Sequence, residues 1–525
     1  MSSPTKQSAN ISPNTSSASI VMGATLLTRL LGFVRQAVIG AVFGASGKAD
    51  VLNAVFTIPN NLRKLLAEGA LSSAFIPVLS QSLSNDEERA AGVPQQVVRN
   101  LLSFQALILI PVLIVSVLFA RPITLLIFDF PEIERQALAA DLFRWVIHYS
   151  LLISISAVMI GSLNSNNLFA VPAFTPIVFS VFVIGSVLLL HRTLGIYSMA
   201  VGILAGGLGQ VLFQTPQFLK SGFDFRLSFL FGNPHFRRIL RQWLPVVASS
   251  GIFAINQQIA YYFASGLEDG STSALFNAVV FWQLPLGVFG VSVTTVLFPQ
   301  MSREAADSDG RALRATTAHG VRAIAALLIP SAVILGALSF EIIAVTLQRG
   351  EFTAANTHMA ARVLIGYCAG LVGVGLFGFL ARSFYARGDY RTPTLTALVV
   401  LVIDVVLSLI LKETSLRVVG LAVANSVAFT TGSLVLLFFA HRSLNGLHGA
   451  SILTTVSKTT VATVPALVVL LMFRRRWGLL WQSGSTLVNL GTLMAIGVLS
   501  TGIVVALYWA LRIEAVTILL KRRTK

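Results

Sequence analysis

The chain has 525 residues, of which 55% are hydrophobic and only 11% charged, and its mean hydropathy is +0.80. Those values exclude a soluble protein of two or three domains and imply an all-α polytopic membrane protein. A net charge of +17 would suggest nucleic acid in a soluble chain, but here the basic residues gather in particular loops as membrane orientation requires, and the single cysteine, Cys368, excludes a disulfide framework or a multi-cysteine metal site.

Residues 1–17 are rich in Ser, Asn and Thr and are expected to form a disordered cytoplasmic tail, without the charged n-region and cleavage site of a signal peptide. Apolar runs then fall near 18–43, 50–80, 98–120, 137–163, 172–191, 196–218, 241–266, 273–301, 315–338, 357–385, 392–411, 417–440, 452–473 and 486–511, giving about fourteen transmembrane helices.

The first two runs are the most heavily charged. They carry Arg29, Arg35, Arg63, Lys64 and Glu68. An arginine at the centre of a lipid-facing helix costs roughly 2.5–3.5 kcal/mol, so three of them would cost about 8–10 kcal/mol if they met lipid. Lys64 and Glu68 stand one helical turn apart and can pair. Arg29, Arg35 and Arg63 then have no local counter-ion, which is the pattern of an anion site inside the protein. Gly32 lies three residues from both Arg29 and Arg35, and Pro59 removes a backbone donor before Arg63, so both helices are expected to bend around a cavity. The alternative is that the arginines reach the headgroups or pair with Asp50 and Glu68 as structural glue.

Further along, an internal repeat emerges. Asn53-Ala54-Val55, Pro59 and Phe75-Ile76-Pro77 in the second run match Asn277-Ala278-Val279, Pro285 and Leu297-Phe298-Pro299 in the eighth. Ser162 precedes Pro172 by the same spacing as Ser383 precedes Pro393. Each pair is six runs apart, so two six-helix halves of like orientation are expected, as in transporters that rock two bundles about a central site. Between the halves, FDFRLSFLFGNPHFRRILRQW alternates aromatic and basic residues and reads as an amphipathic surface tether, with a regulatory role as the alternative. Glycines such as those of VGILAGGLG lack a P-loop lysine and suit close helix packing, and the scattered histidines have no metal-ligand spacing. Asp404, Ser408 and Asn425 lie at membrane depth and could hold a cation or a proton; alternatively Asp404 hydrogen-bonds a neighbouring helix. Lys458 is expected to snorkel.

Loop charge sets the orientation. Lys220–Arg241, Arg303–Arg314, Arg382–Arg391 and the LKRRTK tail would share one side, with Glu268 and Asp269 opposite, which places both termini in the cytoplasm; Arg474, Arg475 and Arg476 run against this.

Five stretches taken together resemble one family: TRLLGFVRQ, IPNNLRKLLAEGALSSAFIPVLS, GSLNSNNLFAVPAFTP, RGEFTA and LARSFYARGDYRTP are similar to the MurJ (MviN) lipid II flippases of the multidrug/oligosaccharidyl-lipid/polysaccharide exporter superfamily, over about residues 18–445. The resemblance implies two six-helix lobes around a cationic cavity, two further helices forming a lipid-tail groove, and export of an undecaprenyl-diphosphate-linked peptidoglycan precursor across the bacterial inner membrane. It places substrate-binding roles on Arg29, Arg35, Arg63 and Glu68, with Asp50, Asn60 and Ser273 at matching positions. The chain departs from the family pattern at Gln36, where an acid is usual, and at Val280, where an arginine is usual.

The expected organisation is therefore an N-lobe over 18–220, a connector over 221–240, a C-lobe over 241–445, the last two helices over 446–511 and a basic tail over 512–525. No cofactor is expected beyond a coupling cation, Na+ or H+, or the membrane potential. The expected partners are the lipid-linked precursor, membrane lipids and cell-wall synthesis proteins around a monomer, without nucleic acid. A drug or cation exporter of the same superfamily, an exporter of another polyprenyl-linked glycan, a membrane enzyme acting on such glycans and a non-transporting scaffold are the alternatives.

Overall fold

The computed structural model describes residues 15–66, 70–305, 310–477 and 485–513. Among these, all regular structure is helical, with no strand. The helices are α1 (Thr15–Phe43), α2 (Lys48–Leu66), α3 (Ala70–Ser84), α4 (Asp86–Ala90), α5 (Val93–Leu118), α6 (Ala120–Ile127), α7 (Ile133–Val146), α8 (Tyr149–Ser165), α9 (Ala170–Leu194), α10 (Tyr197–Lys220) and α11 (Pro234–Ser265). After them come α12 (Ser271–Pro285), α13 (Val291–Glu304), α14 (Arg311–Ala337), α15 (Ser339–Leu347), α16 (Ala354–Ala369), α17 (Leu371–Ala386), α18 (Arg391–Leu411), α19 (Val418–Ser443), α20 (Gly449–Trp477) and α21 (Thr486–Ala510). A single π turn, Leu286–Gly290, joins α12 to α13 directly after Pro285.

Every expected span coincides with a helix or a helix pair. Ten of them, among the described residues, are long and apolar enough to cross a membrane, and the pair α16–α17, bent by 45°, makes an eleventh. The remaining three positions hold α1, α2–α3 and α11; five Asn, Asp and Arg positions lower the hydropathy of α2, and Asn256-Gln257-Gln258 that of α11.

Two compact units divide the chain. The first comprises residues up to Ile39, Ile58–Ala120 and Asp141–Ala248. Its core joins Phe75 and Leu79 of α3, Val98 and Leu101 of α5, Val158 and Met159 of α8, and Phe218, Phe223 and Phe236. Small residues let the helices close up: a methyl at Gly161 would stand 2.8 Å from the Phe75 ring, and one at Gly206 2.8 Å from that of Phe179.

The stretch read from the sequence as an amphipathic tether is irregular from Phe223 to Leu230 and is built into this first unit. Arg99 Nε donates to Asp224 Oδ1 at 2.7 Å, Asn100 Nδ2 to the Leu230 carbonyl at 2.9 Å, and the Ser228 amide to Ser103 Oγ at 2.7 Å. Phe104 packs edge-on against Phe231, Phe236 and Trp243. Leu227, Phe229 and Leu230 stay exposed on its other side.

The second unit takes Gly40–Thr57, Arg121–Ala140 and everything from Ser249 onward. Hydrogen bonds hold the connector to α5, and hold residues 40–57 to the RGEFTA turn and α12. The Glu351 amide donates to the Ala41 carbonyl at 2.9 Å, and Gly350, at φ +56°, leaves room for that carbonyl where a methyl would stand 2.1 Å away. Thr353 and Asn356 form a reciprocal capping box that starts α16. At the α16–α17 bend, Gly370 lets Ser426 of α19 approach; a methyl there would lie 2.4 Å from the Ser426 Cα.

The last two helices pack on α14 and α15. Ala326, Ala462, Ala466, Val504 and Tyr508 form one buried cluster, and Leu338, Val345, Leu470, Phe473 and Ile496 form another. Lys458 reaches the carbonyl of Leu511, just past the end of α21, at 3.1 Å instead of snorkelling. Arg474 Nε lies 3.3 Å from the buried Glu341 carboxylate, so one of the three arginines that ran against the charge asymmetry has its own counter-ion.

Candidate functional site

Within the first unit, α1 and α2 supply the cationic residues. Arg35 donates from Nη1 to Ser180 Oγ of α9 at 3.3 Å, and its Cζ stands 5.2 Å from the centre of the Phe179 ring. Arg63 forks onto Asn60 Oδ1, from Nη2 at 2.9 Å and Nε at 3.2 Å. The two guanidiniums are close enough to repel each other. Arg29 is exposed on α1, and a methyl at Gly32 would meet nothing within 4 Å, so the space beside this face is open. Arg35, Arg63 and Asn60 therefore come together in one neighbourhood. Glu68 lies outside the described residues. Gln36, the position where the resemblance expects an acid, is buried.

Asp50 and Ser273 have a different surrounding. Both belong to the second unit and both are buried, at 2% and 0% exposure, so neither is open to a ligand in this conformation. The Asp50 carboxylate accepts the backbone N–H of Ser273 at 2.7 Å, and Thr272 Oγ1 donates to the Asp50 carbonyl at 2.8 Å. Asn53 Nδ2 donates to Ser273 Oγ at 2.9 Å. Ser273 is the third residue of α12, whose first N–H groups have no partner within the helix. Asp50 is thus a cap supplied from another helix, favourable both as a hydrogen-bond acceptor and as a negative charge at a helix N-terminus. The carboxylate and hydroxyl are committed to each other's helices in this conformation.

The third set lies in the second unit at α11, α18 and α19. Asp404 Oδ2 accepts from Asn425 Nδ2 at 2.9 Å and from Asn256 Nδ2 at 2.8 Å, while Ser408 Oγ donates to Oδ1 at 3.3 Å. Asp404, Ser408 and Asn425 are assembled together, and Asn256 joins them as a residue the sequence reading missed. Its signal was available in the run Asn256-Gln257-Gln258 inside an apolar span. Asn256 and Asn425 also line a cavity of about 350 Å3 within this unit, walled by aromatic, aliphatic and carboxamide side chains.

A family model described as "Lipid II flippase MurJ" matches residues 39–492. The chain belongs to the MurJ lipid II flippase family. A "Probable lipid II flippase MurJ" of Borreliella burgdorferi is 32% identical over 94% of this chain and 96% of its own length. The "Lipid II flippase MurJ" of Burkholderia cenocepacia is 30% identical over 73% of this chain and 75% of its own length. A solved "Lipid II flippase MurJ, inward closed conformation" superposes with a TM-score of 0.74 at 26% identity, covering 94% of this chain and 99% of that one. The MurJ fold is shared more widely: an inward-facing multidrug resistance MATE family transporter of the MOP superfamily gives a TM-score of 0.65 at 12% identity over 83% of this chain. The chain is accordingly a multi-pass membrane protein of the MurJ family.

Proposed function

We propose that this protein carries lipid II, the undecaprenyl-diphosphate-linked peptidoglycan precursor, from the inner to the outer leaflet of the bacterial cytoplasmic membrane by alternating access. The observation that carries this reading is the gathering of Arg35 and Arg63, with Arg29 on the same helix as Arg35, on membrane-depth helices of one compact unit. A diphosphate cannot cross hydrocarbon unaided, and guanidiniums offer paired donors that match phosphate oxygens. Arg29, Arg35 and Arg63 bind the diphosphate, Asn60 orients Arg63, and the polyprenyl tail stays in lipid along the surface of α20 and α21. No covalent chemistry is involved; the protein is a transporter, with both termini in the cytoplasm.

Arg35→Ala and Arg63→Ala are expected to abolish export while leaving folded protein in the membrane. In a strain depleted of its own flippase, the measurement is the fraction of lipid-linked precursor accessible from outside the cell. Wild-type accessibility with both variants would overturn the assigned roles.

Asp404, Ser408 and Asn425, with Asn256, are the proposed site for a coupling cation. In this conformation both carboxamides turn their nitrogens to the Asp404 carboxylate, so a cation would enter as they turn about; the donor set is then one carboxylate, one hydroxyl and two carboxamide oxygens, hard oxygen ligands suited to Na+. Asp404→Asn is expected to remove any Na+ dependence of precursor export; an unchanged dependence would exclude the site.

A further inference from the structure

The cavity beside Asn256 and Asn425 has a chemistry unlike that of the arginine site. On one side, Phe253, Phe377 and Phe429 form a mutually packed trio with ring centres 5.7–5.8 Å apart. On another, Trp282 and Tyr367 meet at 5.5 Å. All five rings line the cavity, and no charged side chain does. The polar lining residues are four carboxamides, Asn256, Gln257, Gln283 and Asn425, and two phenols, Tyr261 and Tyr367; Asn256 and Asn425 direct their nitrogens to Asp404, and Gln283 is exposed. The Asp404 carboxylate is only 4% exposed and accepts three hydrogen bonds, so the cavity is not presented with a free negative charge. Trp282 is 8% exposed and its indole Nε1–H has no hydrogen-bond partner, which leaves a buried donor in the wall.

We propose that this cavity is a carbohydrate subsite that takes an N-acetylated sugar ring of the cargo. A pyranose offers flat patches of C–H to aromatic faces and, in its plane, hydroxyl and acetamido groups that both donate and accept. Carboxamides answer both roles, whereas a guanidinium only donates. An organic cation would also suit aromatic faces, but it would leave the carboxamide wall unsatisfied and would find no accessible carboxylate. The volume is enough for one sugar ring and falls at the small end of ligand cavities. The π turn that follows Pro285 begins with Leu286, itself part of the lining, so the turn fixes the wall on the side of Trp282 and Gln283.

This inference rests on the flippase reading, and the test separates the two. The full-length protein in nanodiscs is titrated with undecaprenyl diphosphate and, separately, with lipid II, by native mass spectrometry. The sugar-bearing lipid is expected to bind about three- to tenfold more tightly, the range one aromatic contact supplies. Trp282→Ala is expected to bring the two affinities together without weakening undecaprenyl diphosphate, Trp282→Phe to keep most of the difference, and Gln283→Ala to reduce it. Arg35→Ala is expected to weaken both lipids alike. A ratio that survives Trp282→Ala in folded protein, or equal affinities in the unaltered protein, overturns the sugar subsite and leaves the flippase reading standing. Trp282-dependent binding of tetraphenylphosphonium without any sugar-dependent gain assigns the cavity to cations and also overturns it. Failure of either lipid to bind removes both readings.

Discussion

Asp50 caps a helix more than two hundred residues away in sequence, and that single bond changes what its charge means. Removing it leaves the Ser273 amide without its charged acceptor, at a cost of about 1–2 kcal/mol. Asp50→Ala should therefore lower the unfolding temperature of the detergent-solubilised protein, and Asp50→Asn, which keeps an acceptor oxygen, should lower it less; identical melting of all three proteins would show that the cap contributes nothing. The arginines were legible in the sequence because each is costly in hydrocarbon and so stands out without knowledge of the fold. Ser180 was not. A lone hydroxyl in a membrane helix costs little and finds many partners, so only the structure identifies Ser180 as the acceptor for Arg35, and although the run Asn256-Gln257-Gln258 stands out, only the structure pairs Asn256 with Asp404. The partner of Asp50 was illegible for the converse reason. A charge at membrane depth announces that a partner exists, and the sequence does not say whether that partner is a ligand or a backbone amide.

The elements themselves followed from hydropathy, since a run of about twenty apolar residues has few alternatives to a helix. The element that did not follow was the connector after α10. Its aromatic and basic alternation suits a membrane surface, and Leu227, Phe229 and Leu230 are exposed, but its fixed position comes from Arg99, Asn100 and Ser103 of α5, and no sequence pattern places these opposite it. The hydrogen bond from Arg99 holds the Asp224 carboxyl below the ordinary carboxylate range. A carboxyl depressed in the folded state contributes stability that is complete above its unfolded value, near 4, and is lost as pH falls through the folded value. Limited proteolysis within residues 223–233 should thus be slow at neutral pH and accelerate below about pH 4. Arg99→Ala should give fast cleavage already at neutral pH. A cleavage rate indifferent to both changes would show that the ion pair does not hold the segment.

At the scale of the whole molecule, the cargo's charge couples the fold to the energy of the cell. An inside-negative potential favours outward movement of each negative charge by about 2.3 kcal/mol per 100 mV, so a diphosphate bearing two gains roughly 4–5 kcal/mol from each 100 mV. Clamping the potential at zero with valinomycin and matched potassium, at constant pH and sodium, should slow the appearance of precursor in the outer leaflet; an unaltered rate would leave ion coupling as the sole drive. The net charge of +17 belongs to this scale too. The pairs Glu341–Arg474 and Asp224–Arg99 already cancel within that figure, and much of the excess resides in loops and the tail.

The π turn at Leu286–Gly290 makes this stretch tolerant of one particular change in length. Wider than the helix on either side, it absorbs one surplus residue, so excising a single residue there would let α12 and α13 fuse into one uninterrupted α-helix without turning the part downstream. Thr294 and Met301 would keep their buried positions, whereas a residue removed between the turn and Thr294 would rotate them both by about 100°. Here the place of a change in length matters as much as its size.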